Sequence, residues 1–240
     1  NYNSVYGWQV FPGVDLAYQI HSNLNFGVNV GSSQRIPSFT DLYLNQRPGN
    51  IGNPDLKSEN ALQYEAILKY NKKSWLGQVG YFHRNITNFI DWVRQDSTVP
   101  YQPFNLGEVQ MQGWHAQIKN TFKIATNKSI NLGISYYYLQ PENLERDSNS
   151  TSKYVVENLK HQVIALAGFT SKAFYVQTSH RYQKRELNSG YGITDLRLGY
   201  TLNKSTIYAD ATNIFDIKYK EVAAVPMPSR WISLGLKYNW

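Results

Sequence analysis

Apolar and polar side chains alternate along most of this 240-residue chain, and this period of two constrains the fold more than any other feature. Between Leu24 and Val30, the Leu, Phe and Val side chains point one way while the Asn and Gly residues point the other. Residues 195–202 and 232–240 alternate in the same way. Because successive side chains of a β-strand face opposite sides of the sheet, these runs predict strands with one dry and one wet face.

Eleven segments follow this pattern, and no segment has a convincing helical period. The predicted strands cover residues 6–20, 24–34, 58–70, 75–93, 105–122, 130–140, 159–171, 173–187, 192–202, 206–217 and 229–240.

The connections between the predicted strands alternate between short and long. Short polar turns such as 71–74 and 203–205 are followed by long connections near 35–57, 94–104, 141–158, 188–191 and 218–228. Outer-membrane β-barrels combine short periplasmic turns with longer extracellular loops, whereas a soluble sandwich has no reason to keep that rule. The sequence therefore predicts an all-β, antiparallel transmembrane β-barrel whose apolar rows face lipid.

Composition supports a wall of membrane strands and argues against several other classes. Aromatic residues make up 15% of the chain, and charged residues make up 17%, against a usual value of about 25%. No apolar run approaches the roughly 20 residues that a membrane helix requires. The net charge of +7 is dispersed singly over strands and turns, so we expect no nucleic-acid partner.

We find no motif for catalysis, for a cofactor or for a metal. The chain has no cysteine, and none of its five histidines is paired at metal-ligand spacing. It also lacks a Gly-rich phosphate loop and a Gly-x-Ser-x-Gly elbow. We therefore expect no catalytic residues, no cofactor, no metal and no enzymatic activity.

Charged and aromatic residues in the predicted long loops are the candidates for contact with a ligand, since Tyr and Arg combine contact area with directed hydrogen bonds. These substrate-contact candidates are Arg35, Asp41, Tyr43, Arg47, Arg94 and Tyr101. A second group lies on the polar side of the predicted strands and is expected to face the lumen. Its members are Gln63, Glu65, Arg181, Arg197 and Asp210.

Three stretches resemble TonB-dependent outer-membrane receptors, and they occur in the order of that family. Residues 34–43 (QRIPSFTDLY) are similar to the family's arginine-x-proline opening of a long surface loop. Residues 52–59 (GNPDLKSE) resemble the return into the next strand, and residues 210–219 (DATNIFDIKY) resemble the penultimate strand. The aromatics Tyr238 and Trp240 at the chain end look like the assembly signal of the last barrel strand.

The resemblance implies that residues 1–240 form the carboxy-terminal half of a 22-stranded barrel, without the amino-terminal plug. It also implies an outer-membrane location and several partners, which are the plug, the other half of the barrel, outer-membrane lipid, the barrel-assembly machinery and, through the full-length protein, the TonB complex. The lumen-facing residues are then expected to contact the plug.

Energised uptake of a bulky, scarce nutrient is the function that this resemblance implies. Within the family, the run from Phe89 to Trp114 looks most like vitamin B12 receptors, and siderophore receptors share much of it. The expected substrate is therefore cobalamin or a ferric siderophore.

Two other functions stay open on the sequence alone. A self-contained outer-membrane barrel could act as a passive pore or as an enzyme, and it would need a closed sheet or a carboxylate–histidine cluster at the rim of the lumen. A surface-binding protein could use the long loops without transport.

Overall fold

A computed structural model describes residues 1–142, 151–152, 159–185, 189–221 and 225–238, and one large antiparallel sheet dominates it. Its secondary structure consists of β1 (Tyr2–Asn3), β2 (Gly7–Trp8), β3 (Gly13–His21), β4 (Leu24–Arg35), α1 (Phe39–Tyr43), β5 (Asn45–Gln46), β6 (Asn50–Ile51), β7 (Glu59–Lys72), β8 (Trp75–Arg94), β9 (Gln102–Ala125), β10 (Lys128–Glu142), β11 (Thr151–Ser152), β12 (Leu159–Thr170), β13 (Phe174–Arg185), β14 (Tyr191–Leu202), β15 (Ser205–Thr212) and β16 (Trp231–Tyr238).

The sheet is a meander in which each long strand pairs with its neighbour in sequence. Its strand order is β16-β15-β14-β13-β12-β10-β9-β8-β7-β4-β3. The two-residue strand β11 also pairs with β8 but is not part of this linear order. The predicted antiparallel all-β fold with eleven long strands is confirmed. Within the described residues β3 and β16 do not pair with each other, so the sheet has two open edges.

Two predicted strand boundaries are wrong. The first strand begins at Gly13 instead of residue 6, because residues 2–8 form the small β1–β2 hairpin and Pro12 cannot donate to a ladder. The penultimate strand ends at Thr212 instead of residue 217, because Asn213 adopts a φ of 50° and turns the chain. Strand β9 begins at Gln102, which shortens the preceding loop to 95–101.

The sequence analysis also missed α1, a five-residue helix in the loop between β4 and β7. Its N-cap is Ser38, whose hydroxyl accepts a hydrogen bond from the backbone of Asp41, while the Asp41 carboxylate accepts one from the backbone of Ser38. This reciprocal capping box stabilises a helix too short to produce a periodic pattern. In the described part of the chain, no helix has the length and apolarity needed to cross a membrane.

Short turns and long loops alternate at opposite ends of the sheet, as predicted. Turns of two or three residues join β3 to β4, β7 to β8, β9 to β10, β12 to β13 and β14 to β15. The left-handed conformations of Lys73 and Asn203, with φ of 54° and 53°, close two of these turns. In outer-membrane barrels the short turns mark the periplasmic end and the long loops mark the extracellular end.

The pairing register separates the sheet into one apolar and one polar face. Phe26 pairs with Leu68 and Leu68 pairs with Val79, so one apolar row continues across strands. Side chains of this face are not buried in a protein interior, since Leu198 is 38% exposed and Leu234 is 81% exposed. We call the apolar face outward and the polar face inward, because a barrel wall turns its apolar face to lipid.

Candidate ligand-contact rim

The loop formed by residues 36–58 folds back onto the extracellular ends of β8 and β9. The backbone N–H of Ile51 donates to the carbonyl of Tyr101 at 2.9 Å, and the N–H of Tyr101 donates to the carbonyl of Gly49 at 2.9 Å. The Asn105 side chain accepts from Lys57 N at 2.8 Å and donates to Lys57 O at 2.9 Å. Loop 36–58 is therefore fixed to the wall by hydrogen bonds along its length.

An ionic network holds the two ends of this loop together. We define the Arg35 cluster as Arg35, Ser38, Asp41, Glu59 and Trp92. Arg35 and Glu59 are direct cross-strand partners, and the guanidinium donates from Nε and Nη2 to the two Glu59 oxygens at 2.7 and 2.9 Å. Glu59 Oε1 also accepts from the buried backbone N–H of Ile90 at 2.7 Å. A bidentate pair with a further backbone donor is a strong and directional anchor.

Asp41 is the most enclosed charged member of the Arg35 cluster, with only 7% of the residue exposed. Its carboxylate accepts from Trp92 Nε1 at 2.9 Å and from Ser38 N at 3.0 Å, and it lies 3.5 Å from Arg35 Nη1. Burial raises the pKa of Asp41, but the hydrogen bonds from Ser38 and Trp92 and the charge of Arg35 together hold this pKa below its ordinary value. Asp41 therefore stays ionised and keeps α1 in place.

A pocket of about 520 Å³ lies beside this network, between loop 36–58 and β8. Its lining combines charged, amide and apolar side chains, including Arg35, Gln46, Asn50, Glu59, Phe89 and Trp92. On α1 the rings of Phe39 and Tyr43 lie 4.9 Å apart and are 79% and 57% exposed. The rim thus offers a polar pocket and an exposed aromatic pair, which is the usual make-up of a ligand-contact surface.

The six candidate contact residues occupy three different environments. Arg35 and Asp41 belong to the Arg35 cluster, and Asp41 is too enclosed to reach an outside ligand without movement of the loop. Tyr43 and Arg47 are exposed on loop 36–58. The Arg94 guanidinium lies 4.5 Å from the ring centre of Tyr101, at the two ends of loop 95–101. This cation–π contact fixes both side chains near the pocket.

A second group of rim contacts holds the connection between β15 and β16. Asn213 is 3% exposed; its Oδ1 accepts from Ile217 N at 2.9 Å, and its Nδ2 donates to Ile217 O at 2.9 Å. The rings of Tyr191 and Tyr219 lie 4.7 Å apart. Glu221 accepts from the Tyr191 hydroxyl at 3.3 Å and lies 3.9 Å from Arg181. Asn213 therefore caps the end of β15.

The five candidate lumen residues all lie on the inward face. The Arg84 side chain donates to Gln63 from two nitrogens, and the Arg197 guanidinium forms a bidentate pair with Asp210. Glu65 pairs in register with Asn29 on β4. Arg181 lies near the extracellular end, next to Glu221. Their contact with a plug stays a prediction.

Several residues at this rim were not singled out by the sequence analysis. The sequence shows Phe39, Glu59, Trp92 and Asn105 only as members of the motif stretches and predicts no contact for them at the rim. The capping box Ser38-x-x-Asp41 was the one local signal that could have indicated α1. Of the predicted assembly signal, Tyr238 is the last residue of β16, and Trp240 lies outside the described residues. Among the described residues, no three His, Asp or Glu side chains form a group able to hold a metal ion.

Comparison with known proteins identifies the architecture. The family model for "TonB dependent receptor-like, beta-barrel" matches residues 1–214. The vitamin B12 transporter BtuB of Photobacterium profundum is 27% identical over 98% of this chain. The chain spans 39% of the length of that relative.

Solved structures agree with this fold. The siderophore receptor PirA from Acinetobacter baumannii has a TM-score of 0.73 at 13% identity, covering 98% of this chain and 41% of that structure. The copper transporter OprC has a TM-score of 0.72 at 14% identity, covering 95% of this chain and 39% of that structure. FrpB, the iron transporter of Neisseria meningitidis, has a TM-score of 0.69 at 14% identity, covering 95% of this chain and 39% of that structure.

The matched region of each relative is a part of its barrel, which confirms the predicted fold. The relatives are transporters and receptors, so the prediction that the chain is not an enzyme is confirmed as well. The family match covers most of the chain, and the outer membrane is the location of these barrels. The chain therefore belongs to the TonB-dependent receptor-like β-barrel family of the outer membrane.

Proposed function

We propose that the full-length protein carrying this chain takes up a bulky, scarce nutrient of the cobalamin or ferric siderophore class, with energy delivered through TonB. The observation that carries the proposal is the 27% identity with a vitamin B12 transporter over 98% of the chain. In this proposal residues 1–240 are one portion of the barrel domain and supply wall and extracellular loops. The plug and the rest of the wall complete the transporter.

Substrate contact is proposed for four residues of the rim, of which Tyr43 and Arg47 are exposed and Arg94 and Tyr101 are partly exposed. Tyr43 and Arg47 on loop 36–58, and Arg94 and Tyr101 across loop 95–101, present aromatic area and positive charge toward the outside. Arg35 and Asp41 act on the substrate indirectly, by fixing α1 and the position of Tyr43. The rim thereby offers a preformed surface instead of a mobile loop.

Contact with the plug is proposed for the inward residues Gln63, Glu65, Arg181, Arg197 and Asp210. Gln63 pairs across strands with Arg84, and Arg197 pairs with Asp210, on the inward face where a plug and water would meet the wall. Arg181 lies next to Glu221 of the β15–β16 connection. Outer-membrane lipid surrounds the outward face, and the barrel-assembly machinery is expected to read Tyr238 and Trp240.

The decisive experiment is uptake by cells that depend on the full-length protein. We expect growth on limiting cobalamin or a ferric siderophore only when both the receptor and TonB are present. Arg47→Ala and Arg94→Ala together are expected to raise the substrate Kd about tenfold, and Lys204→Ala at a periplasmic turn serves as the matched control. Uptake that persists without TonB would indicate a passive pore, and binding without uptake would indicate a surface-binding protein.

A further inference from the structure

A groove on the outward face lies next to the short turns, at the opposite end of the wall from the ligand-contact rim. Its volume is about 280 Å³, near the lower end of the range for ligand pockets. The groove runs across β8, β9, β10 and β12. It is lined by the apolar residues Trp75, Ile118, Phe122, Leu132, Ile134 and Leu166 and by Lys119, Asn120 and Gly133. The first five apolar residues are between 43% and 50% exposed, so the groove opens toward the surrounding membrane.

Two aromatic rings place the groove at the boundary between hydrocarbon and headgroups. Trp75 is the first residue of β8 after the periplasmic turn, and its ring meets that of Phe122 edge to face at 6.0 Å. Trp residues favour this boundary because the ring is apolar and its N–H is polar. The groove therefore faces the periplasmic leaflet.

Asn120 is an unexpected residue at the base of this groove. It pairs in register with Trp75 on one side and with Leu132 on the other, so it belongs to the outward, apolar row. It is only 5% exposed, and its Oδ1 is buried without a hydrogen-bond partner. Burial of an amide oxygen without a partner is unfavourable. This oxygen has almost no accessible surface, so a donor on a ligand reaches it when the Asn120 side chain rotates toward the groove.

Lys72 supplies a positive charge beside the groove, on the strand next to Trp75. It is the last residue of β7 and pairs in register with Trp75 across the turn. The residue is exposed and belongs to the outward row that includes Leu68 and Tyr70. A lysine at this level attracts the phosphate of a lipid headgroup.

We propose that this groove binds one phospholipid of the periplasmic leaflet whose headgroup carries a hydrogen-bond donor. Lys72 contacts the phosphate, the ammonium or hydroxyl of the headgroup donates to Asn120 Oδ1, and part of one acyl chain lies along Ile118, Leu132 and Ile134. The groove is too small for a whole lipid, so the second chain stays in the bilayer. This site is independent of the transported substrate.

Native mass spectrometry of the full-length protein, titrated with phosphatidylethanolamine in detergent, tests the proposal. We expect Asn120→Leu to weaken lipid binding about tenfold, because the acceptor is lost, and Lys72→Gln to weaken it about fivefold. Asn85→Leu is the matched control, since Asn85 is also on the outward face and also has an unpartnered buried Oδ1, but it does not line the groove. Lys73→Gln is the control for the charge.

Phosphatidylcholine separates the hydrogen bond from general lipid affinity, because its headgroup has no N–H donor. We expect the unmodified protein to bind phosphatidylcholine about as weakly as Asn120→Leu binds phosphatidylethanolamine. This comparison needs no variant, so it stands even if Asn120→Leu does not fold. Equal binding of the two lipids would overturn the proposal. Displacement of the lipid by millimolar inorganic phosphate would overturn it too, since phosphate alone would then be the ligand.

Discussion

Two long connections at the extracellular rim are anchored differently, one by buried carboxylates and the other by an exposed ion pair and a buried amide. Loop 36–58 is anchored by Glu59 and Asp41, whose side chains are only 11% and 10% exposed. In the connection between β15 and β16, the Lys218–Asp216 pair at 3.3 Å has side chains that are 72% and 40% exposed. The buried part of that second anchor is the uncharged Asn213. We therefore expect burial of the acceptor, more than the number of ion pairs, to decide how firmly a loop is held.

Glu59→Leu is expected to give the largest effect. The change removes the side-chain acceptor of the buried Ile90 N–H and the bidentate partner of Arg35, which should cost about 3 kcal/mol. The rate of proteolysis within loop 36–58 of the full-length protein measures this loss of loop stability. The control is Glu65→Leu on the same strand and inward face, for which we expect less than about 0.5 kcal/mol. Similar rates for the two variants would contradict the comparison.

Asn213→Ala is expected to have an intermediate effect of about 1–2 kcal/mol. Alanine loses both hydrogen bonds to Ile217 and must adopt the φ of 50°. Asn213→Gly loses the same bonds but accepts this φ without strain, so it should be the milder of the two. Denaturant unfolding of the full-length protein in detergent distinguishes them, and equal stability of the two variants would exclude a role for the backbone conformation.

Acid should release loop 36–58 through Asp41. Because the folded pKa of Asp41 lies below its ordinary value of 3.8, its carboxylate stabilises the attached loop at higher pH, and this stabilisation is lost as the pH falls through the folded pKa. We expect pepsin cleavage of the loop to rise below pH 3.8 in the unmodified protein and to vary little with pH in Asp41→Asn. Asp216→Asn, at the exposed anchor, should keep the acid response of loop 36–58, and a lost response would argue against Asp41 as its source.

Lys218→Ala is expected to have the smallest effect, below about 0.5 kcal/mol, because both partners of its ion pair are largely solvated. The same unfolding measurement applies, at low and high salt. A loss of stability as large as that of Glu59→Leu would mean that burial of the acceptor does not decide how firmly a loop is held.

The wall of the barrel was predictable because its signal is local and repeated. Leu196, Leu198 and Tyr200 alternate with polar residues, so the strand and its two faces follow from neighbouring residues alone. The predicted strand boundaries are wrong where another interaction ends the strand although the apolar pattern continues. Apolar residues continue to Ile217, but the side chain of Asn213 binds the backbone and stops the strand at Thr212.

The ligand-contact rim was predictable only in part. Position in a long loop indicated Tyr43, Arg47, Arg94 and Tyr101, but the sequence could not separate an exposed arginine from one engaged in a network. Arg35 and Glu59 are 24 residues apart and meet because β4 and β7 pair in one particular register. Trp92 reaches Asp41 across 51 residues because loop 36–58 folds back onto the wall.

By itself, the sequence determined the strand-built wall, its apolar and polar faces and the alternation of short turns with long loops, because each of these depends on residues adjacent in the chain. The tertiary structure decided which charges anchor loop 36–58, where the rim pocket lies, and that Asn120 is buried without a partner in an apolar row. These features depend on strand register, since a shift of one residue would turn every side chain to the other face.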